Sequence, residues 1–504
     1  MFTSFRRLAV AERRLATDKS RYQPVIGLEV HIQLSTRTKL FSRSPISDGP
    51  PNRRVVPFDM AAPGILPLLN RRCVLHALKM AILMRCRIPD ASRFDRKHYF
   101  YADMPAGYQI TQHEAPIAKD GKYGFYVFDE HVEPYWKEID IIQLQLEQDS
   151  GKTIHVENRS LVDYNRAGCA LVELVTTPCF STALEAVRFV EHLRLLLMHH
   201  RLCDGELHRG HMRVDANVSL SFDGHAGVRT EIKNMNSIRT IHTAINYEIA
   251  RQFEILSSGS GSHVVNETRA ADSEGRTVAM REKDAQTDYR FLPEPNLPKL
   301  VVKQEWIDEV REELAAEGRP KFQILRDDVG FDPRSAVHIS EDPFLINFVD
   351  KCLKFKDPSV TANDILYWMK ELKTSMQRSK GNYPPQSEFF VSQFTKLVKL
   401  ARDQRLTRLR LLEFLRLYSS ETDPETRDII DIIEENDFWR IRDTQNIDRI
   451  VEECMAKNGK LAEKLKIDGG KNAKSFNKMR NFIVDSTRKC IEIDDVEAAI
   501  RRNL

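Results

Sequence analysis

Carboxylates and one imidazole recur at even spacing inside alternating apolar segments of this chain. Residues 26–34 read IGLEVHIQL. In a strand, successive side chains point to opposite faces. Ile26, Leu28, Val30, Ile32 and Leu34 then share one face, and Gly27, Glu29, His31 and Gln33 the other. Residues 142–147 set Ile142, Leu144 and Leu146 against Gln143, Gln145 and Glu147. Residues 171–175 place Glu173 among leucines and valines. Residues 212–220 set Met212, Val214, Ala216, Val218 and Leu220 against Arg213, Asp215, Asn217 and Ser219. Arg229, Glu231 and Lys233 share a face of residues 229–233.

An apolar sheet face must pack on a core, while a polar one is free to meet water. For a single strand, a solvated face is the ordinary explanation. Solvated faces favour Lys, Thr and Arg, however, and these carry short carboxylates, His, Asn and Gly. Glu29 and His31 offer a carboxylate and an imidazole to a cation, and Glu147 and Glu173 complete the set if their strands lie alongside. Carboxylates with one imidazole suit Mg²⁺ or Mn²⁺ better than zinc. No HExxH or paired-cysteine spacing is present. A hard cation beside carboxylates is a usual device for handling ATP phosphates. Gly151, Lys152 and Thr153 resemble the end of a phosphate-binding loop, but that loop needs a glycine where Leu146 stands, and no GxGxxG occurs. A nucleotide must therefore be held by the sheet face and its loops.

The elements that position these residues are expected to be strands with inserted helices from Tyr22 to about Pro298. Apolar spacing predicts helices over Arg72–Met84, over the segment opened by a Thr182/Glu185 capping box, and from about Thr240 to Leu256 with Gly259 beyond it. Trp306, Val310 and Leu314 mark another that stops at Gly318. Ile365, Met369 and Leu372 mark one with Asn363 as N-cap. Residues 374–388 read as a linker and 389–504 as helices only. The expected class is α+β: an antiparallel sheet region over 22–300, a helical region over 301–375 and a helical tail over 389–504.

The 504 residues carry a net charge of only +3, so any footprint for a nucleic acid must be local. Eight cysteines are scattered without CxxC spacing, which fits inert thiols in a reducing compartment. Residues 1–21 pair Arg6, Arg7, Arg13, Arg14 and Lys19 with apolar residues and few acids, the pattern of a matrix-targeting helix. No apolar run is long enough to cross a membrane, so no membrane insertion is expected.

The same stretches resemble the B subunits of the tRNA-dependent amidotransferases. They are VIGLEVHIQL, PGILPLLN, FDRKHYFYADMPAGYQITQ, LEQDSGK, SLVDYNRAGCALVELV, RVDANVSL, EIKNMNS, ETRAAD and DYRFLPEP, in order across residues 22–300. The resemblance implies a cradle-like catalytic region that works with ATP and Mg²⁺ on Glu-tRNA(Gln) in the mitochondrial matrix. It implies two amidotransferase partners: the A subunit, a glutaminase that releases ammonia from glutamine, and the C subunit, which wraps the other two. It implies Glu29, His31, Glu147 and Glu173 at the metal and phosphate, with Asp215 and Asn217 in support. Lys97 falls on the ammonia route, and Lys233, Asp288 and Arg290 near phosphate or the acceptor end. Tyr99 and Tyr101 are expected to pack.

Two departures stand out. Gln148 replaces a usual second glutamate, and LHRGHMR at 207–213 replaces an acidic run. The tail keeps little of the family's signature, yet holds Lys471, Lys474, Lys478, Arg480, Arg488 and Lys489, while residues 396–416 add Lys396, Lys399, Arg402, Arg405, Arg408, Arg410 and Arg416. Such cations can neutralise tRNA phosphates. Competing readings are a non-catalytic tRNA-binding component of the same kind of complex and a metal-dependent hydrolase acting alone.

Overall fold

The computed structural model describes residues 21–46, 49–258, 263–282, 289–379, 382–420 and 425–504. The expected targeting segment, Gly259 and Asp288 lie outside the described residues. The chain divides into two compact units, one ending at Pro320 and one spanning Lys321–Leu504.

Ten of the first unit's strands position the site. They are β1 (Tyr22–Gln33), β2 (Asp95–His98), β3 (Tyr108–Thr111), β4 (Ala118–Asp129), β5 (Val132–Gln148), β6 (Ala170–Thr176), β7 (Met212–Phe222), β8 (Thr230–Met235), β9 (Glu267–Ala271) and β10 (Thr277–Glu282). Eight form one sheet in the order β10-β9-β8-β7-β1-β6-β5-β4. Every pairing is antiparallel except β8 with β9, so the sheet is mixed rather than purely antiparallel. The apolar face of β1 and β7 is buried as their alternation predicts, from Ile26 to Ile32 and from Met212 to Leu220. Fully burying each such side chain is worth roughly 1.5–3 kcal/mol.

Three helices cover that face: α1 (Arg71–Leu83), α2 (Ala183–His199) and α3 (Ile238–Ser257). Thr182 Oγ1 accepts from the Glu185 amide at 3.2 Å, and the Glu185 carboxylate accepts from the Ser181 amide at 2.6 Å. The capping box thus closes one residue earlier than its usual form. A fourth helix, α4 (Gln304–Glu317), packs on α1 and ends at Gly318. Its Glu317 meets the buried Lys79 at 2.6 Å and His200 Nδ1 at 2.8 Å.

One strand departs from strict alternation. The β5–β6 register shifts between Ile141 and Gln143. This bulge lets Ile141 fill the core and leaves Ile142 45% exposed, the reverse of the expected inward Ile142. Beyond it, Leu144 and Leu146 are buried and Gln145 and Glu147 take the polar face. On that face lies a small hairpin, β2–β3, joined by Leu292–Pro293.

The second unit is helical. Helices from Pro333 to Asn436 enclose one core around Phe348, Leu372, Phe394 and Leu415. Helices from Thr444 to Arg502 enclose another around Val451, Met479 and Ile500. The helix marked by Ile365 spans Ala362–Ser379. Its cap is Thr361, not Asn363: Thr361 Oγ1 accepts from the Asp364 amide and Asp364 accepts from the Thr361 amide. Residues 374–379, expected in the linker, continue this helix because Met376 is buried in the core.

Candidate active site

Strand register alone assembles most of the polar face. On β1, Glu29 stands opposite Asp215 of β7 and His31 opposite Glu173 of β6. Gln145 of β5 is opposite Glu173, and Glu231 of β8 is opposite Asn217. Adjacent strands therefore bring together residues far apart in the chain, as Glu29 and Asn217 are at 188 positions.

The carboxylates fall into two adjoining groups. One ligand atom from each of His31, Glu147 and Glu173 lies within 4.8 Å of the others, and the same holds for Glu29, Asp215 and Glu231. His31 Nε2 is 3.6 Å from Glu147 Oε1 and 4.0 Å from Glu173 Oε2. Both separations exceed a hydrogen bond, yet a single cation can touch all three groups. The expected quartet is thus divided, with Glu29 leaning toward Asp215. Asn217 donates to Glu29 Oε1 at 2.9 Å, and the Asn234 amide donates to Asp215 Oδ1 at 2.7 Å.

The hairpin and neighbouring strands fix the remaining side chains. Thr111 Oγ1 donates to Glu147 Oε2 at 3.2 Å, and Gln145 donates to Glu173. Lys233 Nζ lies 3.0 Å from Glu231 Oε1 and 3.7 Å from Asp215 Oδ2. Lys97 Nζ sits 4.9 Å above the Tyr289 ring. Arg213 grips Asp149 with two hydrogen bonds of 3.0 Å, clamping the end of β5 beside β7. The Arg290 carbonyl accepts from His98 Nδ1 at 2.8 Å, and the Arg290 side chain is exposed.

The electrostatics ask for positive charge. Five carboxylates share this face with Lys97 and Lys233. Burial pushes the Glu173 carboxyl up to about 7; Glu29 and Asp215 add to the rise, while Lys97 and Gln145 oppose it. Burial also raises Glu147, with Glu173 adding to it. Burial would lower Lys233, but Asp215 and Glu231 outweigh it and hold the ammonium up. Burial would raise Asp149, but Arg213 and Arg166 hold it down. Oxygen-rich, desolvated carboxylates with one imidazole fit a hard divalent ion.

A cavity of about 340 Å³ opens on this face, lined by Lys97, Tyr99, Tyr101, Gln109, Lys233 and Tyr289 among others. Gln148 has the parity of Leu144 and Leu146, and its amide lies 3.8 Å from Met104 Sδ. It faces away from the carboxylates and lines a second cavity with Asp59 and Asp149. Its amide therefore removes no acid from the site. At the second departure, Leu207–Arg209 is a single turn in which Arg209 pairs with Glu206 at 2.9 Å.

Alternation within single strands does not by itself single out Glu231, Thr111, Gln145 and Tyr289 as parts of the site. Glu231 shares a strand face with Lys233, which is the available signal. Thr111 and Tyr289 become legible only once the hairpin is laid across the sheet.

Residues 24–308 match the family model described as the GatB/GatE catalytic domain. A protein of Drosophila melanogaster, named as the B subunit of mitochondrial glutamyl-tRNA(Gln) amidotransferase, is 48% identical over 306 residues, 60% of this chain and 59% of its own length. One of the same name from Aedes aegypti is 39% identical over 476 residues, 89% of this chain and 87% of its own. A protein of Carboxydothermus hydrogenoformans, named as the B subunit of aspartyl/glutamyl-tRNA(Asn/Gln) amidotransferase, is 34% identical over 466 residues, 90% of this chain and 93% of its own.

Proposed function

Because this chain belongs to the GatB/GatE catalytic-domain family, we propose that it is the transamidating component of a mitochondrial amidotransferase converting Glu-tRNA(Gln) to Gln-tRNA(Gln). It works in the matrix with the ammonia-releasing A subunit and the wrapping C subunit. A carboxylate is a poor electrophile because its leaving oxygen is bad. Transfer of a phosphoryl group from ATP to the glutamate side chain makes that oxygen a good leaving group. Ammonia then attacks the acyl carbon, and phosphate departs.

His31, Glu147 and Glu173, with Glu29 and Asp215 alongside, would hold Mg²⁺, which when bound neutralises charge on the phosphates. Asn217 and the Asn234 amide fix the rotamers of Glu29 and Asp215. Thr111 and Gln145 do the same for Glu147 and Glu173. Lys233 presents a cation to phosphate, and Arg290 and Asp288 stand on the segment proposed to meet the acceptor end. Lys97, which lies over the Tyr289 ring, is proposed to stand on the ammonia route. The cations of the second unit are proposed to hold tRNA backbone. Of those named above, seven are already paired with acids, as Lys396 is with Asp428 and Arg408 with Glu371. The exposed Lys471, Lys474 and Lys478 are the stronger candidates.

The observation that carries this reading is the convergence of His31, Glu147 and Glu173 from three strands into one group, with Glu29 in the adjoining group on the same face. A protein that only bound tRNA would gain nothing from carboxylates buried at a cost to stability. The test is Glu29→Gln in the reconstituted complex. ATP-dependent phosphorylation of Glu-tRNA should be lost, with tRNA affinity nearly intact. Full activity in that variant would remove the metal assignment.

A further inference from the structure

The sheet face away from the carboxylates is apolar along β1 and β7 but changes character toward β9 and β10. The stripe of α3 that packs there runs Ile241, Ile245, Glu248 and Gln252, at helical spacing. Glu248 is fully buried and Gln252 nearly so. The Glu248 carboxylate accepts from Arg251 at 2.7 and 2.9 Å, from Gln252 at 2.9 Å and from Thr277 Oγ1 of β10 at 2.8 Å. Arg269 of β9 donates to the same Thr277 hydroxyl at 2.9 Å, to the Thr277 carbonyl at 2.6 Å and to Glu267 at 2.6 Å. Gln252 also donates to the Val218 carbonyl of β7 at 3.1 Å. Two acids and two guanidinium groups are thus gathered beneath this end of the sheet. None of them takes part in the proposed chemistry.

Burying such groups costs stability that apolar side chains would not lose. What they can supply is register. Strand β9 reads ETRAA and has no large apolar residue to choose a face. On β10, Val278 and Met280 are exposed. The pairing of β9 with β8 is parallel and covers three residue pairs, Glu231 with Thr268, Ile232 with Arg269 and Lys233 with Ala270. The ladders on either side each shift register, between Val214 and Ala216 and between Thr268 and Arg269. A strand whose pattern selects no face is free to slip, and a slip of one residue exchanges its faces. The buried ion cluster opposes this by holding Arg269 toward α3. Thr268 then falls on the other face, where its Oγ1 donates to Glu231 at 3.0 Å. Slipping β9 by one residue would set Glu267 or Arg269 against Glu231 instead, a repelling acid or a competing guanidinium.

We propose that Glu248 is a positioning residue for the carboxylate face: by anchoring Arg269 and Thr277 it sets the register of β9 on β8, and so keeps Thr268 against Glu231. Glu231 forms one group with Glu29 and Asp215, their ligand atoms lying within 4.8 Å of one another. The proposal rests on the reading of that face as a divalent-cation site.

The experiment uses the full chain with Glu248→Gln, Thr277→Val, Thr268→Val and Thr268→Ser, and Mn²⁺ as the probe. Amide hydrogen exchange across β9 reads the register, Mn²⁺ titration by paramagnetic resonance reads the site, and KM for Mg²⁺ in the reconstituted complex separates affinity from turnover. Glu248→Gln and Thr277→Val should speed exchange in β9 and weaken Mn²⁺ binding by roughly tenfold, the loss usual when a group bonded to a metal ligand is removed. Thr268→Val should weaken Mn²⁺ binding equally with exchange unchanged, and Thr268→Ser should bind as wild type does. In Thr277→Val, KM for Mg²⁺ should rise by the same factor with kcat at saturating Mg²⁺ nearly unchanged. A double variant, Glu248→Gln with Thr268→Val, should lose little beyond the larger single loss, because both act through one contact. Should Glu248→Gln fail to fold, Thr277→Val, which removes a hydroxyl and no charge, gives the answer on its own. Wild-type Mn²⁺ affinity in Thr277→Val despite faster exchange would reduce the cluster to a purely structural role and overturn the proposal, as would unchanged exchange. A wild-type chain that binds no Mn²⁺ would overturn the cation reading instead, and exchange in β9 would still decide whether Glu248 sets the register.

Discussion

Glu173 is surrounded by valine and leucine along its own strand and by other carboxylates across the face, and its carboxyl is pushed up to about 7 by burial first and by Glu29 and Asp215 next. A raised acid holds its proton in the folded state at pH values where the unfolded chain has released it. Folding then binds protons, and stability falls as pH rises from about 4.5, the ordinary value, to about 7, with the full penalty above that. At about 1.4 kcal/mol per pKa unit, the penalty is at most roughly 3.5 kcal/mol. Glu173→Gln should therefore raise the melting temperature of the metal-free chain at pH 8 and leave it nearly unchanged at pH 5. Added Mg²⁺ should raise the wild-type melting temperature at pH 8 more than that of the variant. Thermal melts in EDTA and in Mg²⁺ check both, and a variant less stable than wild type at pH 8 would contradict them. Glu29, His31 and Asp215 were legible from alternation because each sits on a strand whose opposite face is apolar, and Glu173 because it is the one acid in an apolar run. How the acids divide between His31 and Asp215 was not, because that depends on register between strands.

At the scale of elements, the β5 bulge shows where alternation ceases to be a guide. Two isoleucines adjoin at 141 and 142, and a strict period of two cannot bury both Ile139 and Leu144. The register shift resolves the conflict by giving up one residue to solvent, and Ile142 is that residue. Glu147 keeps its place on the polar face because the bulge lies on the far side of Gln143. This placement is testable by paired substitution. Ile141→Ala should cost about 2–5 kcal/mol as a large-to-small change in a packed core. Ile142→Thr, on an exposed position, should change stability by no more than about 0.5 kcal/mol. Denaturant titrations of the two variants decide the matter, and the opposite ranking would restore the unbulged register. The helix boundaries were read more closely than the sheet. Apolar stripes and caps are local signals, as at Thr182 and Gly318, whereas the parallel pairing of β8 with β9 is carried by no local pattern. The cap assigned to Asn363 failed because Thr361, two residues earlier, forms a reciprocal pair with Asp364.

For the whole molecule, the division at Pro320 and Lys321 says where the chain can be cut. Ser, Lys, Gly, Asn and two prolines cluster in residues 374–388 and suggest a break there, and a cut at residue 388 would follow from it. The packing argues against that cut. Phe390, Phe394 and Val398 fill the same core as Phe348, Val349 and Leu372, and Phe394 lies 5.3 Å from Phe348, ring to ring. Removing residues 389–504 would strip one half of a core from the other, and the product should aggregate. Residues 21–320 instead keep a core of their own, from Ile26 to Val310, and all the candidate site residues. That fragment should be soluble and cooperatively folded, and should bind Mg²⁺ and ATP with constants near those of the full chain. It should bind tRNA more weakly and with a flatter salt dependence, by about 0.9 in log–log slope for each duplex phosphate contact that the second unit supplies. Circular dichroism, melting and filter binding across a salt series test the three statements on the same preparation. An unchanged salt slope would mean that the tRNA backbone is held by the first unit, and the basic helices would then be solvated surface.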